Sequence, residues 1–81
     1  MAGKLEAARL KIDSLDRRIA ALLARRCALA SPLKGLKGKP ADPARERRVL
    51  ANAAAAAGKI YAPAARSVFK EIIKQTKRLQ V

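Results

Sequence analysis

The sequence predicts a single all-α domain of three helices, and two observations support that prediction. Apolar residues recur every three or four positions through long stretches, which is the spacing of a helix that packs along one side. No stretch alternates apolar and polar residues as a half-buried strand does, and no internal repeat is present. A chain of 81 residues has room for one domain, so we assign residues 1–81 to it.

The first helix is expected over about residues 3–31, with an apolar stripe in heptad spacing. The stripe is formed by Leu5, Ala8, Ile12, Leu15, Ile19, Leu22, Leu29 and Leu33. The stripe position between Leu22 and Leu29 holds Arg26 instead. Two interpretations stay open: the stem of Arg26 packs while its head reaches water, or the guanidinium points inward to meet a buried anion.

A basic link rich in proline and glycine is expected over residues 32–42. The second helix is then expected over about residues 43–57, since Asp42 suits the N-cap and Pro43 the first helical position. Its run of five alanines has high helix propensity, and the small side chains allow another helix to approach closely. Low-complexity disorder is the alternative interpretation of this run. Gly58 ends the helix.

The third helix is expected over about residues 63–80. Its stripe comprises Ala65, Val68, Phe69, Ile72 and Ile73 and continues with Thr76 and Gln80. The last two members carry hydrogen-bonding groups onto a face that should be buried. Fraying of the helix end is the alternative interpretation of Gln80.

Composition limits what the chain can do alone. It is 51% hydrophobic, but 19 of those residues are alanine, so the core is small and an oligomer is expected to complete it.

The net charge of +13 indicates an anionic partner. The chain has no histidine and one cysteine, Cys27, which we interpret as a helix-packing residue. An intramolecular disulfide, a Cys/His zinc site and a histidine-based triad are therefore excluded.

No apolar run reaches the length of a membrane span, and no signal-peptide pattern begins the sequence. We therefore expect a cytoplasmic protein that does not enter a membrane.

Several fragments resemble the all-α chorismate mutase family. They are Arg9-Leu10-Lys11-Ile12-Asp13-Ser14-Leu15-Asp16, Leu22-Leu23-Ala24-Arg25-Arg26, the lysine Lys37, Asp42-x-x-Arg45-Glu46-Arg47, and Phe69-x-x-Ile72-Ile73-x-x-Thr76-x-x-x-Gln80. Each fragment is weak alone, but their order and spacing together cover nearly the whole chain. The resemblance implies an intertwined homodimer that converts chorismate to prephenate without a cofactor or a metal.

The resemblance also implies roles for individual residues. Arg26 and the partner subunit's Arg9 would hold the two carboxylates of the substrate. Lys37 and Gln80 would donate to the ether oxygen, where negative charge grows as the bond breaks. Pro32 should end the first helix before Lys37, which changes where this lysine lies. Lys34 and Lys39 of the link are therefore alternatives to Lys37.

Four more residues would complete the site by resemblance. Glu46 would accept a hydrogen bond from the ring hydroxyl. The remaining contacts would come from Asp42, Arg45 and Thr76.

The sequence is also compatible with other functions. An isochorismate pyruvate lyase or an aminochorismate mutase would use much the same arginines. A basic helical dimer could bind nucleic acid, although we expect any such binding to be nonspecific because no DNA-reading motif or aromatic platform is present. A regulatory dimer that binds a ligand without turnover is the third alternative.

Overall fold

The computed structural model of the chain describes residues 3–33 and 42–80. Helix α1 spans Lys4–Ala30 and is followed by a 3-10 turn, Ser31–Leu33. Helix α2 spans Pro43–Ala57, and helix α3 spans Ala62–Leu79. The described residues contain these three α-helices and no strand, which confirms the all-α prediction. The greater part of the predicted link, 34–41, lies outside the described residues.

The ends of α2 follow from the residues that flank it. The side chain of Asp42 accepts a hydrogen bond from the backbone N–H of Arg45 at 3.1 Å, as an N-cap does, and Pro43 occupies the first turn. At the other end Gly58 adopts a φ of +87°, which is in the region that favours glycine, and its N–H donates to the carbonyl of Ala54 at 3.2 Å. A turn of four residues then reverses the chain into α3.

Helices α2 and α3 pack against each other as an antiparallel pair, and this pair is the packed part of the protomer. The alanine run is helical, so the disorder alternative is wrong. Within it Ala54 is only 6% exposed, because its small side chain lets the two backbones approach closely. Val68 was expected in the buried stripe of α3, but it is 57% exposed. It lies about 100° around the helix from Phe69, beyond the narrow face that α2 covers.

Helix α1 buries none of its side chains within the protomer. Its apolar stripe is open to solvent, as Ile19 at 61% exposed illustrates. The radius of gyration is 15.8 Å, whereas a compact domain of this length would have one of about 12 Å. A single chain therefore leaves most of the surface of its longest helix uncovered. Among the described helices, none combines the length and the apolar character needed to cross a membrane.

The burial of Ala54 predicts that a larger side chain there strains the contact between α2 and α3. We expect Ala54→Leu to lower the free energy of unfolding by about 1–3 kcal/mol, because overpacking displaces the facing helix. The matched control is Ala55→Leu, one position along on an exposed face, which should change the free energy by no more than about 0.5 kcal/mol. Denaturant unfolding at one fixed protein concentration measures both. Equal stability of the two variants would contradict the packing described here.

Candidate functional site

A cavity of about 310 Å³ lies where the end of α1, the start of α2 and the end of α3 meet. Its lining comprises Arg26, Leu29, Ala30, Leu33, Asp42, Arg45, Glu46, Val49, Ile73, Thr76, Lys77 and Gln80. The lining combines aliphatic side chains with three cations, two carboxylates, one hydroxyl and one amide. Such a mixture suits a small ligand with an apolar body and anionic groups.

The guanidinium of Arg26 points toward α3 at this cavity. Its Nη1 donates to Oγ1 of Thr76 at 2.7 Å, and the Thr76 hydroxyl donates in turn to the carbonyl of Ile72 at 2.7 Å. The single hydroxyl proton of Thr76 is thereby committed, and its oxygen fixes the arginine. Of the two interpretations of Arg26, the inward-pointing one matches the structure, because the half-buried guanidinium is bonded across to another helix.

The side chain of Gln80 closes the end of the cavity next to α1. Its Nε2 donates to the carbonyl of Ala30 at 2.8 Å, and the residue is only 4% exposed. The fraying interpretation of Gln80 is therefore wrong, since the side chain is packed and bonded to another helix. Its Oε1 has no hydrogen-bond partner among the described residues. An amide nitrogen carries two N–H groups, so one donor of Gln80 remains for a ligand.

The first turn of α2 places its charged residues along the opposite wall. Asp42 is engaged in capping the helix, which leaves it little freedom to move. Glu46 is joined to Lys77 of α3 by an ion pair of 2.8 Å between Oε2 and Nζ. Arg45 also lines the cavity, and this residue is exposed.

Six of the eight predicted site residues line this cavity. They are Arg26, Asp42, Arg45, Glu46, Thr76 and Gln80. Arg9 lies on α1, 17 residues before Arg26, which is about 25 Å along a helix axis. It therefore cannot reach the cavity of its own chain, which fits its assignment to the site of a partner. Lys37 lies outside the described residues.

Two parts of the lining were not predicted from the sequence: Lys77 and the aliphatic residues. A signal for Lys77 was present: it lies four residues after Ile73 and three before Gln80, which places all three on one helix face. Its partner Glu46 could not be identified in this way, because helical spacing gives no information about which face of α2 lies opposite.

The cavity lining is suited to electrostatic stabilisation and orientation of a ligand. The chain has no histidine, and its single thiol, Cys27, does not line the cavity. Within residues 3–33 and 42–80 no group of three potential metal ligands comes together. What the lining does provide is cationic donors held in fixed positions, which can stabilise negative charge that develops in a bound ligand.

The sequence of the chain also matches a known protein family. A family model described as chorismate mutase type II matches residues 8–81. No curated protein and no solved structure shows significant similarity to the chain.

The hydrogen bond between Arg26 and Thr76 predicts a stability difference between two small substitutions. Thr76→Val keeps the shape of the side chain but removes the acceptor, so we expect the free energy of unfolding to fall by about 1 kcal/mol. Thr76→Ser keeps the hydroxyl and should retain most of the stability. Denaturant unfolding at a single protein concentration distinguishes them. A valine variant as stable as the wild type would show that the hydrogen bond to Arg26 contributes nothing to stability.

Proposed function

Because the chain belongs to the chorismate mutase type II family, we propose that it converts chorismate to prephenate in the cavity between its three helices. The observation that carries this proposal is the placement of Arg26. A charged residue interrupts the apolar stripe of α1, and its guanidinium is held at the cavity by a hydrogen bond to Thr76. A half-buried charge at a position where the stripe calls for an apolar residue is best explained by an anionic ligand.

The reaction requires few functional groups beyond those that line the cavity. One carbon–oxygen bond breaks while one carbon–carbon bond forms within the same molecule, and no proton or electron is exchanged with the protein. The barrier falls when the ligand is held in its reactive conformation and when charge on the ether oxygen is stabilised. Neither contribution requires a general base or a nucleophile.

We assign Arg26 to one carboxylate of the substrate. A guanidinium has five N–H donors, and Thr76 accepts from only one nitrogen, so the group retains a pair of donors for a bidentate contact. Thr76 then acts mainly by holding Arg26 in place. Asp42 and Arg45 belong to the same wall, where Asp42 fixes the start of α2 and Arg45 adds positive charge.

The ether oxygen would be contacted by Gln80 and Lys37. Gln80 uses one N–H for Ala30 and has the second available. Lys37 keeps this role as an expectation from the resemblance to the family. Glu46 would accept the ring hydroxyl of the substrate with the carboxylate oxygen that Lys77 does not hold.

The second carboxylate would be bound by the partner subunit's Arg9 in a homodimer. Two features support the dimer: the apolar stripe of α1 is open in the single chain, and Arg9 is too far along α1 to reach its own cavity. An antiparallel pairing of two α1 helices, centred between residues 17 and 18, would bring position 9 of one chain beside position 26 of the other.

The direct test is to add purified protein to chorismate and follow the loss of its absorbance while prephenate is assayed as product. Appearance of prephenate in proportion to the protein added supports the proposal. Turnover of isochorismate with release of pyruvate, and not of chorismate, would favour the lyase alternative.

Arg26 provides the sharpest single-residue prediction. We expect Arg26→Leu to leave the free energy of unfolding unchanged or raised, because the packing of an apolar residue in the stripe offsets the lost hydrogen bond to Thr76, which is worth about 1 kcal/mol. We also expect it to lower kcat/KM by about 100-fold or more, since a charged hydrogen bond of about 3 kcal/mol is lost. Arg26→Lys should fail as well, because a point charge cannot form a bidentate contact. Arg25→Leu, next to it on an exposed position, is the control and should stay active. Full activity of Arg26→Leu would refute the site.

A mixing experiment tests whether each site uses two chains. Arg9→Ala and Arg26→Ala homodimers should both be inactive. After unfolding and refolding an equal mixture, half of the dimers contain one chain of each kind, and one site in such a dimer has both arginines. Activity should therefore return to about a quarter of the wild-type level. No recovery, or a wild-type protein that sediments as a folded monomer at micromolar concentration, would overturn the composite site.

A further inference from the structure

The ion pair between Lys77 and Glu46 is unusual within this chain. The sequence has 19 basic and six acidic residues, yet this is the one pair of opposite charges within 4 Å in the described ranges. Asp13 and Arg17, at a spacing that favours a helical ion pair, do not form one. The pair is therefore produced by the packing of α3 against α2, and it lies in the wall of the cavity.

The pair changes what Glu46 presents to a ligand. Lys77 holds Oε2 of the carboxylate at 2.8 Å, and the side chains of Lys77 and Glu46 are 39% and 29% exposed. The ammonium compensates the charge of Glu46 and limits its movement, while the second carboxylate oxygen remains an acceptor. A lone carboxylate would repel the carboxylates of a substrate and attract a cation; a paired one does neither strongly.

We propose that Lys77 determines the substrate specificity of the site. By pairing with Glu46, it makes this carboxylate favour a neutral hydroxyl over an ammonium group at the same position of the substrate ring. This inference rests on the proposed function. A hydroxyl donates a hydrogen bond without bringing a charge. An aliphatic amine is largely protonated at neutral pH, so it would place a second positive charge beside the ammonium of Lys77. The site is thereby matched to chorismate rather than to its amino analogue.

The test compares kcat/KM for chorismate with kcat/KM for 4-amino-4-deoxychorismate in the dimeric protein. Wild type should prefer the hydroxyl substrate. In Lys77→Met, which keeps the length of the side chain and removes the charge, we expect the ratio to move toward the amino substrate by about fivefold or more. Lys77→Arg restores the charge and should keep the wild-type ratio. Lys74→Met, an exposed lysine on the same helix, is the matched control and should also keep it.

A double substitution identifies Glu46 as the group through which Lys77 acts. Adding Glu46→Gln to Lys77→Met removes the carboxylate that would attract the amine, so the gain for the amino substrate should disappear. A merely structural lysine would lower both kcat/KM values by the same factor and leave their ratio unchanged.

The outcomes separate this inference from the proposed function. An active wild type with the same ratio in Lys77→Met overturns the role of Lys77 and leaves the proposed function standing. A wild type that turns over neither substrate overturns the proposed function itself. Thermal unfolding and sedimentation check each variant, and Lys77→Gln replaces Lys77→Met if the latter does not fold. If neither variant folds, Lys77 is a structural residue and the inference fails.

Discussion

Two hydrogen bonds join α1 to α3 and shape the cavity at the same time. Arg26 donates to Thr76, and Gln80 donates to the carbonyl of Ala30. Helix α1 makes few other contacts with the other two described helices, so these polar contacts are a main constraint on its position against them. Each contributes about 1 kcal/mol. The angle of α1 and the placement of its arginine therefore depend on side chains that also face the ligand.

Charge is used differently at the cavity and on the remaining surface. Most of the basic residues are exposed and make no ion pair in the described parts of the chain. At the cavity the two carboxylates are both engaged, Asp42 by the backbone of α2 and Glu46 by Lys77. Arg26 and Arg45 have no carboxylate partner within the described residues. The acids thus shape the wall, whereas the arginines remain available to an anion.

The sequence was sufficient for the helices, which depend on local signals, and together with the resemblance to the family it gave six of the twelve residues that line the cavity. Asp42 and Pro43 mark the start of α2, and the interruption of a regular stripe identifies Arg26 without any knowledge of its surroundings. The sequence could not predict the pairing of Glu46 with Lys77, because periodicity gives the face of one helix but not the rotation of its neighbour. The exposure of Val68 was missed for a related reason: the width of the buried face is set by how closely α2 approaches.

The open stripe and the cavity share two residues, Leu29 and Leu33, and this favours the proposed site shared between two chains. Leu29 lines the cavity and is also 75% exposed as a member of the α1 stripe. A second copy that covered the stripe would therefore pass the mouth of the cavity beside Arg26. There its own side chains would meet the ligand, and they would exclude water from it. In the proposed dimer, a second α1 helix would both cover the exposed apolar stripe and supply the arginine that the proposed site still needs.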